Sequence, residues 1–150
     1  MNKLDKTIED RKKNITNLAN NILAMEGQEG IYVGDNDTFP LTHTFAEGVY
    51  LREMKMPKGT TIIGKIHKED HIWFLLKGHI KVATLNSNEE YHAPCYVKSP
   101  GGIQRVIHAF TETVWVNVHK NPSNTTDLKE LENNIIAKDY LEYEKFKKLK

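Results

Sequence analysis

The sequence predicts a mainly β fold, an antiparallel barrel or sandwich flanked by an N-terminal and a C-terminal helix. Three observations predict it. Between about residues 49 and 119 the chain divides into short runs rich in Val, Ile, Tyr and Thr, residue types that suit a pleated, half-buried surface. Those runs are separated at close intervals by Pro57-Lys58-Gly59, Lys77-Gly78, Asn86-Ser87-Asn88 and Ser99-Pro100-Gly101-Gly102, the spacing of antiparallel strands joined by turns. Helical periodicity is confined to the two ends.

The first element is a helix over residues 1–27. Leu4, Ile8, Ile15, Leu18 and Ile22 recur at helical spacing, with charged and polar residues between them, and the pattern stops at Gly27 and Gly30. Strands are expected over residues 49–56, 60–67, 72–76, 80–85, 91–97, 104–109 and 113–119, within a barrel spanning 40–120. Ile62, Ile66, Ile72, Phe74, Leu76, Ile80 and Val82 all have even numbers, which assigns them to one strand face and Lys65, His67, His71, Trp73 and Leu75 to the other, provided no bulge intervenes. Over residues 126–150 a second helix and tail follow. Asp127 is its N-cap, Glu130 completes a capping box, and Leu128, Leu131 and Ile135 form its apolar stripe.

At 150 residues one domain is the default, long enough to bury a core without disulfides. Cys95 is the single cysteine, so an internal disulfide and a cysteine-based zinc site are excluded, in keeping with a reducing compartment. The charged N-terminal segment lacks the apolar stretch of a secretory signal, and no apolar run reaches the length of a membrane span. The expected location is the cytoplasm. Lys plus Arg (21) nearly cancels Asp plus Glu (20), leaving no global field for binding polymeric nucleic acid. Attraction for an anion must be local.

Residues 59–78 resemble the first motif of the cupin barrels, in which glycine is followed by a His-x-His pair, a glutamate and a closing glycine. Ser99-Pro100-Gly101-Gly102-Ile103-Gln104-Arg105 resembles the second, where Pro-x-Gly precedes a histidine. The resemblance covers roughly residues 49–119 and implies a cupin-like antiparallel β-barrel of jelly-roll type. Its metal-binding positions fall on Lys65, His67, His71 and Arg105. Two of the four are cations, which repel a divalent metal and offer it no lone pair. No metal or other cofactor and no catalytic residue are therefore assigned.

The same side chains suit an anion receptor. Lysine brings a point charge, arginine a planar fork and histidine further donors. Lys65, His67, His71 and Arg105 are the candidate ligand-binding residues, with Trp73 as a stacking surface and His108 as a further contact. His43, His79, His92 and His119 are read as surface or structural histidines, and Cys95 as a packed thiol.

A longer resemblance, over residues 40–53, 57–60, 64–71, 99–106, 113–119 and 126–132, is to a family of small bacteriophage cupin-like proteins. It implies a phage-encoded chain acting in the host cytoplasm. From the basic pocket we expect a non-enzymatic binder of a small phosphate-bearing ligand, such as a cyclic nucleotide, acting as a sponge for immune signals. A homo-oligomer is expected too, built through the two apolar-striped helices. Two alternatives stay open: a metal-dependent cupin enzyme of the isomerase or oxygenase class using His67, His71 and His108, and a virion or assembly component.

Overall fold

A computed structural model describes residues 3–26, 31–33 and 39–149, with backbone alone described for Leu4, residues 23–26 and 31–33. The elements are, in order, α1 (Lys3–Glu26), β1 (Ile31–Val33), β2 (Leu41–Ala46), β3 (Val49–Met56), β4 (Thr61–Ile63), β5 (Ile66–His67), β6 (His71–Lys77), β7 (His79–Ala83), β8 (Asn88–His92), β9 (Cys95–Ser99), β10 (Val106–Ala109), β11 (Thr113–Lys120), α2 (Leu128–Ile135), β12 (Ile136–Ala137) and α3 (Tyr140–Lys148). The fold is mainly β and cupin-like. Two five-stranded sheets, ordered β1-β4-β10-β7-β8 and β2-β3-β11-β6-β9, enclose the core, and all their pairings are antiparallel except β1 with β4.

Strand β3 coincides with the expected run at 49–56, whereas residues 60–67 divide into β4 and β5, and residues 91–97 into β8 and β9. Strands β1, β2 and β12 lie outside the expected strand runs.

The even-numbered apolar set does not share one face. On β4 and β7, Ile62, Ile80 and Val82 point into the core, but on β6 it is Trp73 and Leu75 that do so. Ile72, Phe74 and Leu76 are exposed. The reason is a corner. Strand β6 belongs to one sheet and β7 to the other, joined by Gly78 alone, so the inward parity changes as the chain switches sheets. Gly78 has φ +109, and a Cβ there would lie 2.6 Å from Thr113 Oγ1 and 2.8 Å from the Glu112 carbonyl oxygen. Only glycine fits that corner.

The later part of the α1 stripe is occupied within the chain. Ile15, Ala19 and Ile22 pack with Ala83 and Val106 on the outer face of the first sheet. At the other end Asp127 caps α2, its side chain accepting from the Lys129 and Glu130 amides. Glu130 completes no reciprocal bond to the cap amide, because its carboxylate accepts from Thr125 Oγ1 at 2.9 Å. Leu131 is buried and, with Leu128 and Ile135, faces the barrel mouth. Strand β12 then pairs with β5, placing Ile136 opposite His67. Asp139 caps α3 by accepting from the Glu142 amide. No helix among the described residues is long and apolar enough to cross a membrane.

Candidate functional site

Inward-facing residues of β3, β6 and β11 and the β5 segment converge below α2 on a cavity of about 290 Å³. Its walls are apolar, with Met54, Ile62, Trp73, Ile107 and Trp115 from the barrel and Leu128, Leu131 and Ile135 from α2. Its polar end carries His67, His71, His119, Arg52, Arg105 and Asn117.

Three histidines form the centre of that end. One ring nitrogen from each of His67, His71 and His119 lies within 4.8 Å of the others. Ring centroids are 4.0 Å apart for His67 and His71, 5.2 Å for His67 and His119, and 5.0 Å for His71 and His119. Position follows from the pleat. His71 opens β6 with the same inward parity as Trp73 and Leu75, and His119 shares the inward face of β11 with Trp115 and Asn117. His67 is held by backbone bonds from the Gly102 amide to its carbonyl and from the Lys68 amide to the Ile135 carbonyl, both 2.8 Å.

The three rings are neutral near pH 7. Burial lowers His71 to about 4, with the Arg105 charge adding to it and the Glu69 backbone and Asn117 side chain opposing it. His119 falls to about 3 through burial, then the neighbouring His71 and Arg52. His67 is pushed well below 6.5 by burial and by the same histidines and arginines. Like charges this close disfavour protonation of any one ring. The lone pairs are thus open to a metal or a donor.

Among the described residues, His71 Nδ1, Trp73 Nε1 and Ser99 Oγ are the buried side-chain atoms with no hydrogen-bond partner. All three residues line this cavity. Asn117 and the Glu69 backbone stand close to His71 without meeting hydrogen-bond geometry at Nδ1. Such groups are costly to bury unpaired.

The residues expected from sequence divide. His67, His71, Trp73, Lys65 and Arg105 all line the cavity. Arg105 is half-buried, its Nη1 donating to the Ile103 carbonyl at 3.3 Å, and the bond from the Gly64 amide to the Arg105 carbonyl fixes its backbone. Lys65 is engaged in an ion pair, 2.6 Å from Glu132 on α2, which lines the cavity as well. Trp73 is part of the core, 1% exposed, stacked on Trp115 at 4.0 Å and edge-on to Tyr91. His108 lies on the other face of β10. It is three residues from Arg105, an odd offset, and its Nδ1 is 2.8 Å from Thr61 Oγ1.

His119, Arg52 and Asn117 join the polar end from outside the set expected from sequence. His119 carries no motif neighbour, yet its parity with Trp115 on an unbroken strand was a usable signal. Arg52 looked like any strand charge. Beside them His43 Nδ1 pairs with Tyr50 OH at 2.7 Å, and Tyr50 stacks toward His119 at 6.0 Å.

No protein-family model matches this chain, and no curated protein matches it by sequence. Solved structures do match. A cupin 2 conserved barrel domain protein of Salinispora arenicola superposes with a TM-score of 0.50 at 13% identity, covering 65% of this chain and 87% of that one. A cupin superfamily protein of Desulfitobacterium hafniense gives a TM-score of 0.50 at 8% identity, over 56% of this chain and 78% of its own. At such identities the likeness is one of fold.

Proposed function

We propose that this cupin-like barrel binds a small anionic ligand at a divalent metal held by His67, His71 and His119, with Arg52 and Arg105 as the anion-binding wall. The observation that carries the reading is the triad itself, three imidazole nitrogens within 4.8 Å. The donor set fits the group. Three neutral histidines leave at least one coordination position open, the arrangement of reactive rather than purely structural metal sites, and His71 brings a buried nitrogen without a partner. A metal bound there would supply Lewis-acid polarisation of a ligand oxygen.

What the chain's own residues do is bind and orient. Arg105 and Arg52 bring guanidinium charge to the polar end, suited to carboxylate or phosphate. The apolar residues of the barrel and of α2 line the rest of the cavity and would contact the non-polar part of the guest. Lys65, already paired with Glu132, contributes little charge. The cavity of about 290 Å³ is at the small end of ligand pockets. That favours a small carboxylate or phosphate monoester over a cyclic dinucleotide.

The second reading is metal-free capture of a phosphate-bearing ligand, including the sponge role for nucleotide signals, and the two arginines that line the cavity favour it. Metal analysis decides between the two. Protein purified without chelator should carry close to one equivalent of zinc, iron, manganese or nickel in the pocket, lost in His119→Ala, and calorimetry with phosphate and with a short-chain carboxylate should show binding that chelation weakens. An ion content unchanged by His119→Ala, or anion binding unaffected by chelator, overturns the metal-centred reading. Absence of anion binding under both conditions overturns the two together.

A further inference from the structure

We propose a second divalent-metal site on the outside of the barrel, formed by His79, Glu90 and His92 on the β7–β8 pair and suited to zinc or a similar borderline cation. Nothing in it depends on the pocket. Strand geometry builds it: His79 pairs across the strands with His92, and Glu90 precedes His92 by two residues, so the period of two puts all three side chains on one face. One ligand atom from each lies within 4.8 Å of the others.

His79 is the anchored member of the three. His79 and His92 stack with centroids 3.9 Å apart and planes at 14°, and Phe110 packs on His79 at 4.5 Å. The His79 backbone is tied down as well, its amide donating to Thr111 Oγ1 at 3.0 Å and its carbonyl accepting from the Phe110 amide at 3.0 Å. His79 is the half-buried, rigid ligand, and its Nε2 already faces Glu90 Oε2 at 3.0 Å.

An ion takes nitrogen and oxygen ligands at about 2.0–2.2 Å along the in-plane lone pair of each ring, so the exposed His92 must rotate out of its stack on His79, and Glu90 adjust with it, to close the site. Two imidazoles and a carboxylate match the borderline divalent metals better than magnesium or calcium, which prefer all-oxygen shells. The competing cation is Lys81, the cross-strand partner of Glu90, whose ammonium sits 5.7 Å over the Phe110 ring. The ion would clip the β8 edge strand to β7 and present its remaining positions to solvent.

The test is zinc stoichiometry on the full chain by equilibrium dialysis and atomic spectroscopy. His92→Ala, at an exposed edge position, should bind one zinc fewer than the parent, and Glu90→Gln should weaken that site at least tenfold. Zinc should also slow chemical acylation of His92, followed by mass spectrometry, at least tenfold in the parent. Equal stoichiometry in parent and His92→Ala, or unprotected His92 at saturating zinc, overturns the proposal. Loss of a zinc in His92→Ala with full retention in His119→Ala would sink the pocket reading and leave this one standing.

Discussion

The ammonium of Lys65 lies 2.6 Å from the Glu132 carboxylate, so a cation expected to hold the ligand instead ties the barrel to the helix over its mouth. The partners are 28% and 53% exposed, which keeps the pair's contribution to stability at or below about 1 kcal/mol. Its importance is to ligand charge. Replacing the pair together, Lys65→Ala with Glu132→Gln, should change phosphate affinity less than about threefold, while Arg105→Ala should weaken it on the order of thirtyfold, equivalent to about 2 kcal/mol. Arg105→Lys should also weaken it, because lysine lacks the fork. Calorimetry on the three variants checks the ranking, and a larger loss on replacing the pair than at Arg105 would reverse the assignment.

Stability should fall with acid in a defined window. In the unfolded chain histidine takes a proton near 6.5, whereas folded His71 holds out to about 4 and His119 to about 3. Between those values the unfolded state binds more protons, so lowering pH favours it. For His71 the gap corresponds to roughly 3 kcal/mol, lost as pH drops from about 6.5 toward 4. Urea melts with chelator at pH 7, 6, 5 and 4.5 should show the decline, and His71→Asn should flatten it. A parent curve independent of pH over that range would contradict the burial of neutral rings.

The cap of α2 couples stability to the site. Asp127 accepts from the Lys129 and Glu130 amides, and Asp127→Ala should cost about 1 kcal/mol. Because Leu128, Leu131 and Ile135 wall the cavity, ligand affinity should fall along with it. Asp127→Asn should restore both. Denaturant midpoints and calorimetry on the two variants provide the check, and unchanged affinity in Asp127→Ala would separate α2 from the pocket.

The sheet corner gives a sharper structural test. Gly78→Ala meets the Thr113 hydroxyl and Glu112 backbone at a φ of +109, and should destabilise by on the order of 2 kcal/mol or more. A urea midpoint equal to that of the parent would show that the chain does not turn there as described.

The sequence by itself determined the fold class, most strands, both terminal helices and five of the residues that line the cavity. Turn residues, strand composition and the helical period of 3.6 are local signals, and each is present in the order of amino acids. Asp127 and the Leu128, Leu131, Ile135 stripe were legible for the same reason, though only the fold shows that the stripe faces the mouth. Tertiary structure alone decided which strand face turns inward, because parity resets at Gly78 where the chain leaves one sheet for the other. That reset exposes Ile72, Phe74 and Leu76, and the odd step from Arg105 turns His108 away from the pocket. It also decided that His119 and Arg52, which lie outside both motifs, line the same cavity as His67 and His71, and that Glu132 neutralises Lys65. Such meetings depend on closure of the barrel, a long-range event that no local period encodes.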